Sequence, residues 1–234
     1  MICCAEGRGA PTALFLMPTV LIATSNAGKL RDFAGAAAPL GVTIVGIPDF
    51  HLLPEVIEDG LTFEANARKK AAEYSVHVPG ELVLADDSGL VVDALHGAPG
   101  VHSARYAAME ALRGDGRPRP SDKADTANSP DEANNARLLR ELASVASEQK
   151  TARFVCVLAA ARDGEVLAVF SGKAEGLILT APRGTHGFGY DPLFFFPSLN
   201  KTFAELSAEE KALVSHRGAA FRKFLEWNSC REQR

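Results

Sequence analysis

Residues 20–33 read VLIATSNAGKLRDF, and this stretch decides the fold class. Val20–Thr24 is a short β-branched apolar run, the mark of a buried strand. It gives way to Ser25-Asn26-Ala27-Gly28-Lys29, a turn of small residues, and Leu30-Arg31-Asp32-Phe33 opens a helix. Strand, tight turn and helix in succession make the repeating unit of α/β architecture. Downstream, Val42–Ile47 reads as a second strand, and Pro48 and Pro54 bracket an irregular stretch. Thr62 caps a helix with Glu64 in its first turn. Phe63, Ala67, Ala71 and Tyr74 then recur at helical spacing, with Arg68, Lys69, Lys70 and Glu73 on other faces. Leu82–Ala85 is a further buried strand that delivers Asp86-Asp87-Ser88-Gly89 at its end. Arg153–Ala161 and Glu165–Ser171 flank Asp163-Gly164, a hairpin signal, and Lys173–Leu179 adds another strand. Alternation early and a hairpin late predict an α/β fold on a mixed sheet, not a purely parallel one.

Between these elements, about 107–132 mixes Gly114, Gly116, Pro118, Pro120 and Pro130 with charges, and reads as a mobile surface insertion. Asn134–Ala143 is helical, with Leu138, Leu139 and Leu142 on one side. Ser207 and Glu210 form a capping box, and the last helix starts near His216, burying Phe221, Phe224 and Leu225. Ahead of the first strand, Ala13–Met17 is too short for a signal peptide core. Residues 1–18 read as a disordered extension, with Met17 as the natural start, and 19–228 as the domain.

The 234 residues are 47% hydrophobic and 23% charged, which suits one large domain or two lobes and excludes disorder as the main state. The 25 Lys+Arg against 29 Asp+Glu leave a formal charge of −4, the wrong sign for a nucleic-acid coat or a binder of anionic membranes. No apolar run approaches the ~18 residues of a membrane helix. Cys3, Cys4, Cys156 and Cys230 fit no metal or disulfide spacing, which points to a reducing, cytoplasmic setting.

Four segments carry chemistry. Thr24, Ser25, Asn26, Ala27, Gly28 and Lys29 place backbone N–H groups, a helix N-terminus and a cation together, an anion site suited to phosphate. It is not a Walker loop: Ala23 stands where the first glycine belongs and Leu30 where Ser or Thr would hold magnesium. Asp86 and Asp87 point to opposite faces of their strand, so one faces a cleft. A carboxylate facing phosphate needs a cation between, and Mg²⁺ is the usual one, with Glu58 a second candidate ligand. Gly187-Phe188-Gly189-Tyr190-Asp191-Pro192 offers an aromatic ring between glycines, open to a flat partner such as a purine, with Asp191 to accept from a ring N–H. Lys211, His216 and Arg217 are donors for a keto oxygen or a phosphate. Spacings of five and six do not make one helical stripe, so a break near Ser215 must bring them together.

In this order the segments resemble the inosine triphosphate pyrophosphatase family, the XTP/dITP pyrophosphatases. The resemblance runs from Val20 to Leu225 and is carried further by Glu58-Asp59-Gly60-Leu61-Thr62-Phe63-Glu64-Ala65-Asn66-Ala67, Ala85–Leu90, Gly97-Ala98-Pro99-Gly100, Ser103–Tyr106 and Ser215-His216-Arg217-Gly218. It implies a two-lobed α/β fold around a long mixed sheet, the nucleotide in the cleft between lobes, a homodimer and Mg²⁺. By the family's pattern, Thr24 to Lys29 hold the phosphates, Asp87 is proton acceptor and metal ligand, and Ser88 touches substrate. Phe188, Gly189, Tyr190, Asp191, Lys211, His216 and Arg217 surround the base. The sequence departs from the pattern in its long 107–132 insertion and in His186, where a small residue is more common. The implied reaction takes ITP, dITP or XTP to the monophosphate and pyrophosphate. Two alternatives stay open: a Maf-like pyrophosphatase acting on modified pyrimidine nucleotides, and a regulatory module that binds nucleotide without hydrolysis.

Overall fold

The computed structural model describes residues 19–111 and 128–232. The extension 1–18, the reading of Met17 as start and the centre of the insertion, 112–127, lie outside the described residues.

Seven strands form one mixed sheet in the order β2-β1-β3-β4-β5-β6-β7. β1 (Thr19–Ile22) lies parallel to both β2 (Thr43–Gly46) and β3 (Val83–Val92). β4 (Thr151–Arg162) and β5 (Glu165–Ile178) are long and antiparallel, and the short β6 (Phe194–Phe196) and β7 (Lys201–Thr202) close the far edge. The β4–β5 hairpin turns where Asp-Gly is predicted, with φ of 51° at Asp163 and 85° at Gly164. Positive φ at both central residues is what a turn matching the strand twist requires.

The helices α1 (Ala27–Ala37), α5 (Ala208–Val214) and α6 (His216–Glu232) share one core with the first half of the sheet, around Phe33, Leu84, Leu158, Phe221 and Phe224. α2 (Phe63–Ser75) covers the other face through Ala67, Ala71 and Tyr74. A third core, around Leu90, Phe154, Phe194 and Phe203, lies toward the far end of β3–β5 under α4 (Asp131–Glu141). β3, β4 and β5 run through both ends, so the fold divides into two lobes on continuous strands, as expected.

Three expectations need correction. Asp86-Asp87-Ser88 are not at a strand end: β3 runs ten residues, from Val83 to Val92, because β4 pairs with it along its whole length, Val83 with Ala161 through Val92 with Ala152. Glu165–Ser171 and Lys173–Leu179 are one strand, unbroken at Gly172. The flanks of the insertion are helical, with α3 (Ala108–Ala111) before it and α4 beginning at Asp131, three residues earlier than expected. Pro130 at the N-cap and Asp131 and Glu132 in the first turn favour a helix start there.

Candidate active site

The parallel part of the sheet ends before β3 does. β1 pairs with β3 only at Val83 and Leu84 and stops at Ile22. Beyond Leu84 that edge of β3 has no strand partner until the Leu90 amide bonds Ser103 Oγ and the Val92 amide bonds the Ala98 carbonyl, and the turn after β1 lies beside this gap. Asn26 caps α1, its side chain accepting from the Lys29 amide at 3.0 Å, and its own amide donates to Thr24 Oγ1. The amides of Ala27 and Gly28 are left at the open helix end beside exposed Ser25. Lys29 Nζ then reaches both carboxylate oxygens of Asp86 at 3.1 Å. The lysine-bearing turn therefore contacts Asp86 directly, and the Lys29 charge also acts on Asp87.

Asp86 and Asp87 do point to opposite faces. Asp86 is 1% exposed. Burial opposes its charge, but Lys29, Arg217 and Lys70 outweigh it and hold the carboxyl at a pKa of about 2. Asp87 faces α2, where Asn66 Nδ2 donates to its Oδ2 at 2.9 Å and Lys70 Nζ lies 4.0 Å from its Oδ1. Its burial raises the carboxyl above the ordinary value despite Lys70 and Lys29. Glu58 pairs with the same Lys70 at 2.9 Å. Burial works against the Lys70 charge, and Asp87, Asp86 and Glu58 more than restore it.

The C-terminal segment completes the cluster. α5 ends at Ser215 in extended backbone (ψ 156°), and the Ser215 hydroxyl accepts from the Gly218 amide to start α6. This is the break the spacing demands. Gly172 makes room for it: a side chain there would meet the His216 carbonyl and the Ala220 amide. Arg217 donates to Asp32 Oδ2 and Ser88 Oγ, both at 2.8 Å, and Lys211 pairs with Asp32 at 3.2 Å and Asp191 at 2.7 Å. Lys29, Asp86, Arg217, Asp32, Lys211 and Asp191 thus form an alternating row of charges from the turn after β1 to the aromatic loop. In such buried rows each charge depends on its neighbours, so removing one strands the next.

At the far end, a cavity of about 420 Å³ is lined by Gly28, Asp32, His186, Phe188, Phe203 and Lys211, among others. The Phe188 ring lies against Gly28, with Lys211 Nζ 5.1 Å and Arg217 Cζ 5.2 Å from its centroid. It is half-buried, less open than its flanking glycines suggest, because the first turn of α1 lies against it. Asp191 is committed to Lys211 and the Phe188 amide, and burial raises its carboxyl. Tyr190 turns into the core, its hydroxyl donating to the Ser103 carbonyl. His216 is buried flat on Phe154 with both ring nitrogens unpartnered among the described residues. Burial, then Arg217 and Lys211, hold it neutral.

The sequence reading missed Asp32, Asn66 and Lys70. Asn66 and Lys70 are four apart, beside the Phe63–Ala67–Ala71 stripe on α2, and that adjacency is the signal that could have found them.

The Ham1 family model matches residues 20–227. A dITP/XTP pyrophosphatase of Geobacter sulfurreducens is 48% identical over 204 residues, 87% of this chain and 93% of that protein. One from Exiguobacterium sp. is 49% identical over 205 residues, again 87% and 93%. Among solved structures, a HAM1 protein from Coxiella burnetii aligns at TM-score 0.71 and 34% identity, covering 91% of this chain and 99% of that one. A nucleoside-triphosphatase / dITP/XTP pyrophosphatase from Mycobacterium abscessus aligns at 0.62 and 38%, covering 88% and 98%.

Proposed function

The chain belongs to the Ham1 family, and from that premise we propose that it hydrolyses ITP, dITP and XTP to the monophosphate and pyrophosphate, removing them from the nucleotide pool. The observation that carries this reading is the run of ion pairs that joins Lys29 in the turn after β1 to Asp86 and, through Arg217, Asp32 and Lys211, reaches the Phe188 ring, with Asp87 next to Asp86 on β3.

Each residue then has a task. Thr24 to Lys29 hold the triphosphate, and Lys29, steadied by Asp86, stabilises charge as the α–β anhydride breaks. Asp87, made more basic by burial, takes the proton of the attacking water. Lys70 and Asn66 orient it. Phe188 stacks on the base, and Ser88 and Arg217 lie between the two ends. Lys211 in the cavity wall donates to a 6-keto oxygen, while His216 lies buried on Phe154 and is not part of that wall. Adenine presents an amino group there and leaves that donor unpaired, a mismatch that can cost orders of magnitude in rate.

Mg²⁺ fits the donors present. Asp87 and Glu58 are hard oxygen donors on either side of Lys70, and no third His, Cys, Asp or Glu joins them among the described residues. Mg²⁺ is often held by one or two carboxylates with substrate phosphate and water completing its shell. Asp87 and Glu58 would hold it, and it would neutralise phosphate charge. The working unit we propose is a cytoplasmic homodimer; exposed Leu52, Ile57 and Leu61 on the Glu58 segment support a partner surface. No helix among the described residues is long and apolar enough to cross a membrane.

Pyrophosphate release with Mg²⁺ over ITP, XTP, dTTP and ATP tests the reading. ITP and XTP turning over far faster than ATP and dTTP supports it. Faster dTTP turnover would favour the Maf-like alternative, and binding without pyrophosphate release would favour the regulatory one.

A further inference from the structure

The loop that carries Phe188 is intrinsically loose. Gly187 and Gly189 flank the ring at φ of 78° and 61°, and glycine has the greatest backbone freedom of any residue. From inside, Asp191 accepts from the Phe188 amide at 3.0 Å and returns its own amide to the Phe188 carbonyl at 3.3 Å. The next peptide is held from outside. Gly189 donates its N–H to Asp131 Oδ2 at 2.6 Å, and its carbonyl accepts from Asn135 Nδ2 at 3.0 Å.

Asp131 and Asn135 are one turn apart on α4, so a single helix face grips both polar groups of one residue. That helix is itself fixed. Asn134, buried, accepts from the Ala107 amide and donates to the Ala104 carbonyl, and Leu138 and Leu142 lie in the core. The Asn135 Oδ1 is buried with no partner among the described residues. An unpartnered buried oxygen costs free energy, and an apolar side chain of the same shape would avoid it. Packing alone does not explain an asparagine at this position; the bond to Gly189 does.

We infer that Asp131 and Asn135 are positioning residues for substrate recognition: they hold Gly189 so that Phe188 presents its ring to the base. The inference rests on the proposed role of Phe188 at the base, so Phe188→Ala is measured beside the clamp variants. The probes are ITP as substrate and inorganic tripolyphosphate, which has no base, as competitive inhibitor. Asn135→Leu removes the bond and the stranded oxygen together. It should raise KM for ITP about fivefold, the loss of one hydrogen bond. The kcat and the Ki for tripolyphosphate should stay within twofold, and Tm should hold or rise. Asp131→Ala should raise KM at least as much, and Asp131→Asn, which keeps an acceptor, should recover most of it.

If KM and the tripolyphosphate Ki rise in parallel, or Tm falls with KM, the residues are merely structural and the inference fails. If Phe188→Ala raises KM while the clamp variants do not, the inference fails and the role of Phe188 stands. If Phe188→Ala leaves KM unchanged, both fail.

Discussion

Gly28→Ala sets local stability against function. Gly28 is the second residue of α1, and a Cβ built there lies 2.5 Å from Cδ1, 2.7 Å from Cε1 and 2.9 Å from Cγ of Phe188. Carbon atoms in contact sit ~3.5–4.0 Å apart, so the ring must retreat by about 1 Å. Alanine also favours the helix over glycine, by up to ~1 kcal/mol. Folding stability should therefore hold or rise, while the ring we propose to stack on the base is displaced. Stacking on an aromatic side chain is worth ~1–3 kcal/mol per base, so kcat/KM for ITP should fall by roughly 10- to 100-fold. Steady-state kinetics with ITP and thermal unfolding measure the two effects. In a Phe188→Ala background the same change should cost little more, because the clash is gone. A Gly28→Ala enzyme within twofold of wild type for ITP, or an undiminished penalty without the ring, would refute the reasoning.

Lys70→Met keeps the aliphatic stem and removes the charge between Glu58 and Asp87. Leaving buried Asp87 without its cation should cost at most about 3 kcal/mol, seen as a lower Tm, with partly exposed Glu58 adding little because water screens it, and the acid limb of the kcat/KM–pH profile should move to higher pH, because Lys70 lowers the Asp87 pKa. His216→Phe tests a pH-dependent contribution to stability. Burial, Arg217 and Lys211 depress the His216 pKa in the folded protein, while the unfolded chain takes up the proton below about pH 6.5. His216 therefore favours folding fully above about pH 6.5 and progressively less as pH falls. The fall in Tm between pH 7.5 and 5 should be smaller in His216→Phe than in wild type.

Local signals in the sequence were reliable where one residue type has one use. Asp163-Gly164 made the hairpin turn, Ser207 with Glu210 made the capping box, and the Lys211–His216–Arg217 spacing required the break found at Ser215. β3 was truncated because Asp86-Asp87-Ser88-Gly89 have poor strand propensity; pairing with Val155–Leu158 of β4 overrides it. Lys70 and Asp32 were hidden for a related reason. A charged residue on a helix reads as solvated until a tertiary partner is known, and their partners lie 17 and 185 residues away at Asp87 and Arg217. The facing of Tyr190 into the core was equally invisible, since it depends on the Ser103 carbonyl in another segment.

Asp87→Asn, measured by ITP binding and turnover in parallel, tests the central claim most directly. Asparagine keeps the size of the side chain and an oxygen to accept from Asn66, but it cannot serve as the proton acceptor. ITP affinity should stay within about threefold while turnover falls by roughly 10³-fold, in the range for loss of a positioned general base. Turnover within tenfold of wild type in that variant would contradict the account.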